Sequence, residues 1–192
     1  VLALLAGACA GERRSPPAPV RELRVGIEDR LTSLDPATDN LLAWTVLGNV
    51  FEPLVVHGPD LGIQPALAAR WETPEETVWR FELRDGTAFH DGTPLDAAAV
   101  VEGLERVRSD DTSPARSWLA SVATVEAASP SAVVVRTRWP DPLLLHHLAQ
   151  IPIALGRTRE EVNARACGTG PYRIGGRDGN GGLVVEAFMG WK

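Results

Sequence analysis

The sequence predicts a globular protein of the mixed α/β class. Segments in which apolar residues alternate, as in strands, interchange along the chain with segments of helical period. The composition, 44% hydrophobic and 23% charged over 192 residues, fits a folded chain with a core rather than a disordered one. The chain contains no internal repeat and no low-complexity domain. Strands and helices are therefore expected to share one core.

The first nine residues, VLALLAGAC, form an apolar run that ends in small residues and a cysteine. The run is shorter than the roughly 18–20 residues of a membrane-spanning helix. Because it lacks an initiator methionine and a basic start, we interpret it as the end of a truncated signal peptide. Residues 10–20 are polar and proline-rich, as a tether would be. The alternative is a frayed helix of a cytosolic protein.

A strand and a helix are predicted next. Residues 23–28 (LRVGIE) read as a strand, and Pro36 fixes a turn in the polar loop that follows. Apolar residues at helical spacing predict a helix that Pro53 ends: Leu42, Val46, Leu47 and Val50. Residues 53–58 are expected to form a short buried strand. Residues 62–72 (GIQPALAARWE) are expected to form a loop with a helical turn.

A strand, a turn and a capped helix are predicted from residue 77 onward. In residues 77–83 (TVWRFEL), Trp79, Phe81 and Leu83 share one face of a strand. Two Asp–Gly pairs then signal turns, and Asp96 can cap the next helix. Leu95 and Val100 are placed to form a hydrophobic staple, and Val100, Leu104 and Val107 form an apolar stripe. Arg106 and Arg108 fall in the last turn, where positive charge suits the helix dipole.

The remaining chain predicts two hairpins separated by a helix. The first hairpin turns at residues 129–131, and Asp141–Pro142 is a good start for the helix LLLHHLA. The glycine-rich segment GTGPYRI leads into a strand. The turn GRDGNGG then connects that strand to a final one, LVVEAF.

Charge and cysteine content exclude several classes of protein. The formal net charge is −6, and Lys192 is the only lysine, so no basic stripe is present and no nucleic acid partner is expected. The two cysteines, Cys9 and Cys167, are too few for a cysteine metal cluster or a disulfide framework. Cys167 is expected to be a buried, inert thiol.

Two histidine-containing segments are candidates for chemistry. His90 stands beside Asp91 in a glycine-rich turn, and His146 stands beside His147 on a predicted helix. Adjacent helical residues point about 100° apart, which does not suit a metal pair, and neighbours in a turn rarely form a catalytic pair. A hydrolase that uses His90 or the His146–His147 pair is kept as the alternative function. The segment GTGPY lacks the spacing of a dinucleotide or phosphate loop.

The tryptophans are the remaining binding candidates. Trp44 lies on the helix after the polar loop, and Trp118 lies in the segment SPARSWLA. Aromatic side chains at such places either stack on a ligand or fill the core. The residues alone leave both alternatives open for each ring.

Several segments together resemble the family 5 extracellular solute-binding proteins, the peptide- and nickel-binding components of bacterial ABC importers. They occur in the family's order: SLDPATDN, VFEPLVV, QPALAARWE, WRFELRDGTAFHDGTPLDAAAVVEGLERV and GTGPYRI. The first nine residues are similar to a lipobox, which implies that Cys9 is lipidated. The resemblance covers about residues 23–191.

The resemblance implies a periplasmic binding protein-like fold of type II, with the N-terminal lobe present and the second lobe missing. Family members are more than twice as long, so both ends of the chain are expected to be truncated. Residues 1–22 are predicted to be the leader and tether. Residues 23–52 and 168–192 are predicted to belong to the first lobe, and residues 53–167 to an inserted small subdomain.

The resemblance also implies a function without catalysis or cofactor. The protein is expected to be a monomeric lipoprotein of the cell envelope that captures a peptide or similar solute and delivers it to an ABC permease. Ligand-lining residues carried over by position are Arg30, Leu31 and Thr32 in the loop after the first strand, with Trp44 and Trp118. Arg30 would suit a carboxylate of the ligand. No metal site is expected.

Overall fold

The computed structural model describes residues 31–37 and 41–191, without the side chains of residues 41 and 42. Cys9, Arg30 and the predicted strand 23–28 lie outside the described residues. None of the helices within these ranges is both long and apolar enough to span a lipid bilayer. The strands form antiparallel sheets with helices packed beside them, which agrees with the mixed α/β class.

The first described elements are a helix and a two-stranded ribbon. Helix α1 (Leu41–Leu47) ends six residues before Pro53, because the chain turns at residues 48–50. Strand β1 (Val55–His57) pairs antiparallel with strand β2 (Ile63–Pro65). The ribbon confirms the short strand predicted at residues 53–58.

A four-stranded antiparallel sheet forms the centre of the chain. Its spatial order is β3 (Ala68–Glu75), β4 (Val78–Leu83), β6 (Ala132–Thr137) and β5 (Val122–Ser129). The predicted hairpin at residues 129–131 is therefore confirmed. The predicted loop at residues 62–72 is wrong, since that segment contributes β2 and the start of β3. Strand β3 is an edge strand with most of its residues exposed, so its sequence carries no apolar alternation.

Helix α2 (Ala97–Ser109) packs on this sheet, and its start is built as predicted. The Asp96 side chain accepts a hydrogen bond from the Ala99 amide at 2.9 Å. The stripe of Val100, Leu104 and Val107 is fully buried. The 3₁₀ helix Pro114–Leu119 follows α2 and contacts both α2 and helix α3 (Leu144–Leu148).

The last elements are helix α4 (Arg159–Arg165) and the hairpin of strands β7 (Tyr172–Arg177) and β8 (Leu183–Ala187). Thr158 caps α4 by accepting from the Glu161 amide. The Glu161 carboxylate in turn accepts from the Arg157 amide, an arrangement close to a capping box. The hairpin and the glycine-rich connector before it occupy the predicted positions.

The buried apolar residues form two clusters. The large cluster contains the four-stranded sheet, α2 and residues up to Ile153, together with Ala37 and Cys167. The small cluster joins Leu31 and α1 to a later segment that contains Ala154, Val162 and Ala166. Ala154, Val162 and Ala166 thus pack with the first segment of the chain, while Leu155 packs against the large cluster. The boundary of the small subdomain at residue 167 stays a prediction.

Candidate ligand-binding site

The described part of the predicted cleft loop, residues 31–37, connects the two clusters. Leu31 at its start is buried in the small cluster, and Ala37 at its end is buried in the large one. The Asn163 side chain on α4 accepts hydrogen bonds from the Leu34 amide at 2.6 Å and from the Ser33 hydroxyl at 3.0 Å. The loop is therefore attached to α4 at its middle.

A buried ion pair attaches the same loop to α2. Both guanidinium nitrogens Nη1 and Nη2 of Arg106 contact the Asp35 carboxylate, at 2.8 and 3.2 Å. The two side chains are 3% and 2% exposed. Asp35 Oδ1 also accepts from the Ala37 amide, which closes a local turn. The sequence interpretation assigned Arg106 only to the helix dipole and did not predict this pair.

The predicted binding residues of the loop differ in their exposure to solvent. The Leu31 side chain is buried, and its carbonyl accepts a hydrogen bond from Arg177 Nη2 on β7 at 3.1 Å. Thr32 is exposed. Arg30 lies outside the described residues. Of the two described residues, Thr32 is thus accessible to solvent, while the Leu31 side chain packs in the small cluster.

The two candidate tryptophans lie on elements that pack in different clusters. Trp44 is half-buried on α1, whose neighbouring residue Ala43 belongs to the small cluster. Trp118 is half-buried on the 3₁₀ helix and packs against the large cluster. The hydroxyl of Ser113, at the start of that helix, donates to the Ala37 carbonyl at 3.3 Å. The Ala37 end of the loop is therefore attached at the start of the helix that carries Trp118.

Two open grooves of about 530 and 560 Å³ lie elsewhere on the surface. One runs along α2, and the other lies beside the 3₁₀ helix. Neither is lined by Leu31, Thr32, Trp44 or Trp118. The four described site residues therefore lie outside both of these grooves.

His90 joins its turn to the glycine-rich connector. The Gly168 amide donates to His90 Nδ1 at 3.3 Å, and His90 Nε2 donates to the Gly170 carbonyl at 3.0 Å. The ring also meets Phe188 edge-on, with centroids 4.9 Å apart. Asp91 points away and binds Arg165 at 2.9 Å. His90 therefore holds two chain segments together, and both of its ring nitrogens are occupied.

This role of His90 makes the stability of the protein dependent on pH. Burial, which is the largest effect, lowers the pKa of His90 below its usual value of 6.5. As the pH falls, the unfolded chain takes up this proton first, so the contribution of His90 is complete above pH 6.5 and is lost below it. When the pH is lowered from 7.5 to 5.5, the free energy of unfolding measured in urea should decrease less for His90→Gln than for wild type. An equal decrease in both proteins would contradict the assignment.

The contacts of His146 and His147 differ from those of a catalytic triad. His146 Nδ1 contacts His57 Nε2 at 3.0 Å, and His147 Nδ1 lies 3.6 Å from Asp141 Oδ2. The buried Ser121 hydroxyl donates to the same Asp141 oxygen at 2.6 Å. The carboxylate thus stands between the serine and the histidine, whereas a triad needs the histidine in the middle. The geometry gives the hydrolase alternative no support.

Cys167 and the possible metal ligands are the remaining candidates for chemistry among the described residues. Burial raises the pKa of the Cys167 thiol, so it is not a reactive thiolate at neutral pH. Within residues 31–37 and 41–191, no three His, Cys, Asp or Glu side chains converge as metal ligands.

Comparison with known proteins places this architecture in a family. The family model described as bacterial extracellular solute-binding proteins, family 5 middle, matches residues 62–192. This chain belongs to the family 5 extracellular solute-binding proteins. The resemblance of its sequence motifs to that family is thereby confirmed.

Individual family 5 proteins are similar over much of this chain. The glutathione-binding protein GsiB of Pectobacterium atrosepticum is 27% identical over 97% of this chain and 38% of its own length. The periplasmic murein peptide-binding protein MppA of Escherichia coli is 32% identical over 64% of this chain and 23% of its own. The solved structure of the E. coli murein tripeptide-binding protein MppA matches with a TM-score of 0.74 and 27% identity, over 86% of this chain.

The chain spans less than two fifths of the length of these relatives. The match to the MppA structure confirms the periplasmic binding protein-like fold and its partial extent, since the chain covers 38% of that structure. Family 5 membership also gives an extracytoplasmic solute-binding protein as the general class.

Proposed function

We propose that this chain forms one wall of the ligand cleft of an ABC importer's solute-binding protein, which captures a small peptide outside the cytoplasmic membrane and delivers it to a permease. The family match over residues 62–192 is the observation that carries this proposal. Closure of a second lobe over the ligand would be a hinge motion without chemistry. The protein acts as a monomer and needs no cofactor.

Peptides are the ligand class that the relatives favour. The names of two relatives give glutathione and murein peptide as ligands, and both molecules are short peptides with free carboxylates. Arg30 would bind such a carboxylate, because its guanidinium presents a fixed pair of donors. Thr32 on the loop, Trp44 on α1 and Trp118 on the 3₁₀ helix would line the same wall.

The attachment of the loop supports this assignment. Contacts from α2, α4 and β7 hold residues 31–37, through Arg106, Asn163 and Arg177 respectively. A binding loop that is already ordered loses less conformational entropy when its ligand binds. Short peptides offer few contacts, so such preorganisation would matter for their affinity.

The experiment is a titration of the full-length protein with glutathione, murein tripeptide and tri-alanine, followed by tryptophan fluorescence. Trp118→Ala should weaken binding of the preferred peptide at least about tenfold, which is about 1.4 kcal/mol. The half-buried ring should cost less stability than the roughly 3–5 kcal/mol of a fully buried one.

Trp79 is the matched control for this experiment. It is half-buried on β4 and packs against the same cluster as Trp118. Trp79→Ala should lower the melting temperature and leave peptide affinity unchanged. If Trp118→Ala behaves in the same way, Trp118 belongs to the core and not to the cleft.

Cys9 is proposed to carry a lipid that anchors the protein to the membrane. Its flanking residues Ala6, Gly7 and Ala8 fit a lipobox, in which leucine is commoner than alanine at the position of Ala6. Expressed with a complete signal peptide in a bacterium, the protein should incorporate labelled fatty acid and partition with membranes. Cys9→Ser should abolish both, and equal labelling of the variant would exclude the anchor.

A further inference from the structure

Two charged residues of α2 and the acidic residue at its C-cap form ion pairs with other segments of the chain. Glu102, Arg106 and Asp110 follow one another at intervals of four residues, which places them on the same side. Their charges alternate in sign. We call these residues and their partners the α2 charge ladder.

Each position of the α2 charge ladder is paired with an opposite charge. Glu102 Oε2 contacts Arg157 Nε at 2.9 Å, and Asp110 Oδ2 contacts Arg159 Nη2 at 3.0 Å. Between them lies the buried pair of Arg106 and Asp35. Arg159 Nε also approaches Asp35 Oδ2, at 3.7 Å. The charges of the three partners therefore also alternate, as positive, negative and positive.

The ladder connects the two clusters. Helix α2 belongs to the large cluster, whereas Arg157 and Arg159 lie between Ala154 and Val162, which belong to the small one. Asp35 lies in the loop that passes from one cluster to the other. A shift of α2 by one turn would bring like charges together, so the alternation fixes one register.

The central pair is better suited to fix a position than to add stability. A buried ion pair gains little net stability because both charges lose their hydration. Two buried donors of this network, Nε of Arg106 and Nε of Arg159, have no hydrogen-bond partner, which adds a further cost. The planar guanidinium of Arg106 nevertheless contacts both carboxylate oxygens, and this geometry sets the orientation of Asp35 as well as its distance.

We propose that Arg106 is a positioning residue for ligand binding: through Asp35 it holds the loop 31–37 in the conformation that the ligand meets, and the outer pairs of the α2 charge ladder keep α2 in register. Arg106 does not itself touch the ligand. This inference rests on the proposed function, since that function makes the loop a wall of the cleft.

The test replaces the ion pair by apolar side chains of similar size in the full-length protein, as Asp35→Leu with Arg106→Met. Urea unfolding should show a smaller loss of stability than for Arg106→Ala, because both charges are removed together and the lost acceptor of the Ala37 amide is the main remaining cost. Hydrogen exchange of the Leu34 amide should become at least tenfold faster, because its bond to Asn163 depends on the position of the loop. The affinity for the peptide that wild type binds best among the three probes should fall at least tenfold.

A surface pair on the same helix provides the control. Arg108 contacts Glu105 at 2.6 Å, with both side chains about one third exposed. Arg108→Met with Glu105→Gln should leave the Leu34 exchange rate and the peptide affinity unchanged. If the apolar double variant does not fold, Arg106→Lys takes its place, since it keeps the charge and loses the two-point contact. We then expect the same faster exchange and weaker binding.

Unchanged exchange at Leu34 in a folded variant would overturn the proposal, and so would faster exchange with unchanged affinity. The exchange measurement needs no ligand. A wild-type protein that binds none of the three peptides would therefore count against the proposed function, while the exchange rates would still decide whether Arg106 positions the loop.

Discussion

Arg106→Ala should lower the free energy of unfolding by about 3–5 kcal/mol, the usual cost of removing one member of a buried ion pair. The Asp35 carboxylate is 2% exposed and would lose both of its bonds to the guanidinium. Arg159, at 3.7 Å, is too far away to replace them. Urea unfolding of the full-length protein measures the loss.

Arg108→Ala is the control for this prediction. Arg108 stands two residues further along α2, and its ion pair with Glu105 is partly exposed. Pairs of this kind contribute about 0–1 kcal/mol. Equal losses for the two alanine variants would mean that burial of the Asp35–Arg106 pair has no energetic consequence.

Gly168→Ala should lower the free energy of unfolding by about 3 kcal/mol, at the upper end of the range for overpacked sites. An added Cβ would collide with the Val50 carbonyl oxygen and lie 2.7 Å from Cδ1 of Phe51. Both neighbours are fully buried and belong to the small cluster, so neither can move aside easily. The strain would also disturb the two hydrogen bonds between Gly168 and His90, one to the His90 backbone amide and one to its ring.

Gly179→Ala provides the comparison, because an added Cβ there meets no atom within 4 Å. Its effect should stay within about 0.5 kcal/mol, as at other open surface positions. A small effect at both glycines would show that the connector has more room than the structure gives it. Urea unfolding of the two variants under one set of conditions decides the matter.

Local patterns predicted the elements whose stability is local. Helix α2 has its cap at Asp96 and its apolar stripe within one short segment, and both were found where the sequence placed them. Strand β4 and the hairpin of β5 and β6 have apolar alternation and turn residues of their own. Edge strand β3 lacked such a pattern, since it pairs on one side and is mostly exposed, and the sequence interpretation assigned it to a loop.

The candidate site divides in the same way. The motif residues of the loop and the two tryptophans could be selected from the sequence, because they resemble the family's pattern. The sequence could not show whether each side chain faces solvent or the core. Leu31 proved to be buried, while Thr32 is exposed. The positions of their side chains toward a ligand remain predictions.

The sequence alone determined the class of fold, the capped helix, the hairpins and the family, because periodicity, turn residues and motifs are carried by neighbouring residues. Only the tertiary structure revealed what holds the loop 31–37. Asp35 and Arg106 are 71 positions apart, and Ser33 and Asn163 are 130 apart. No local pattern distinguishes a buried arginine that meets such a partner from one that faces water, because the pairing depends on how two clusters pack.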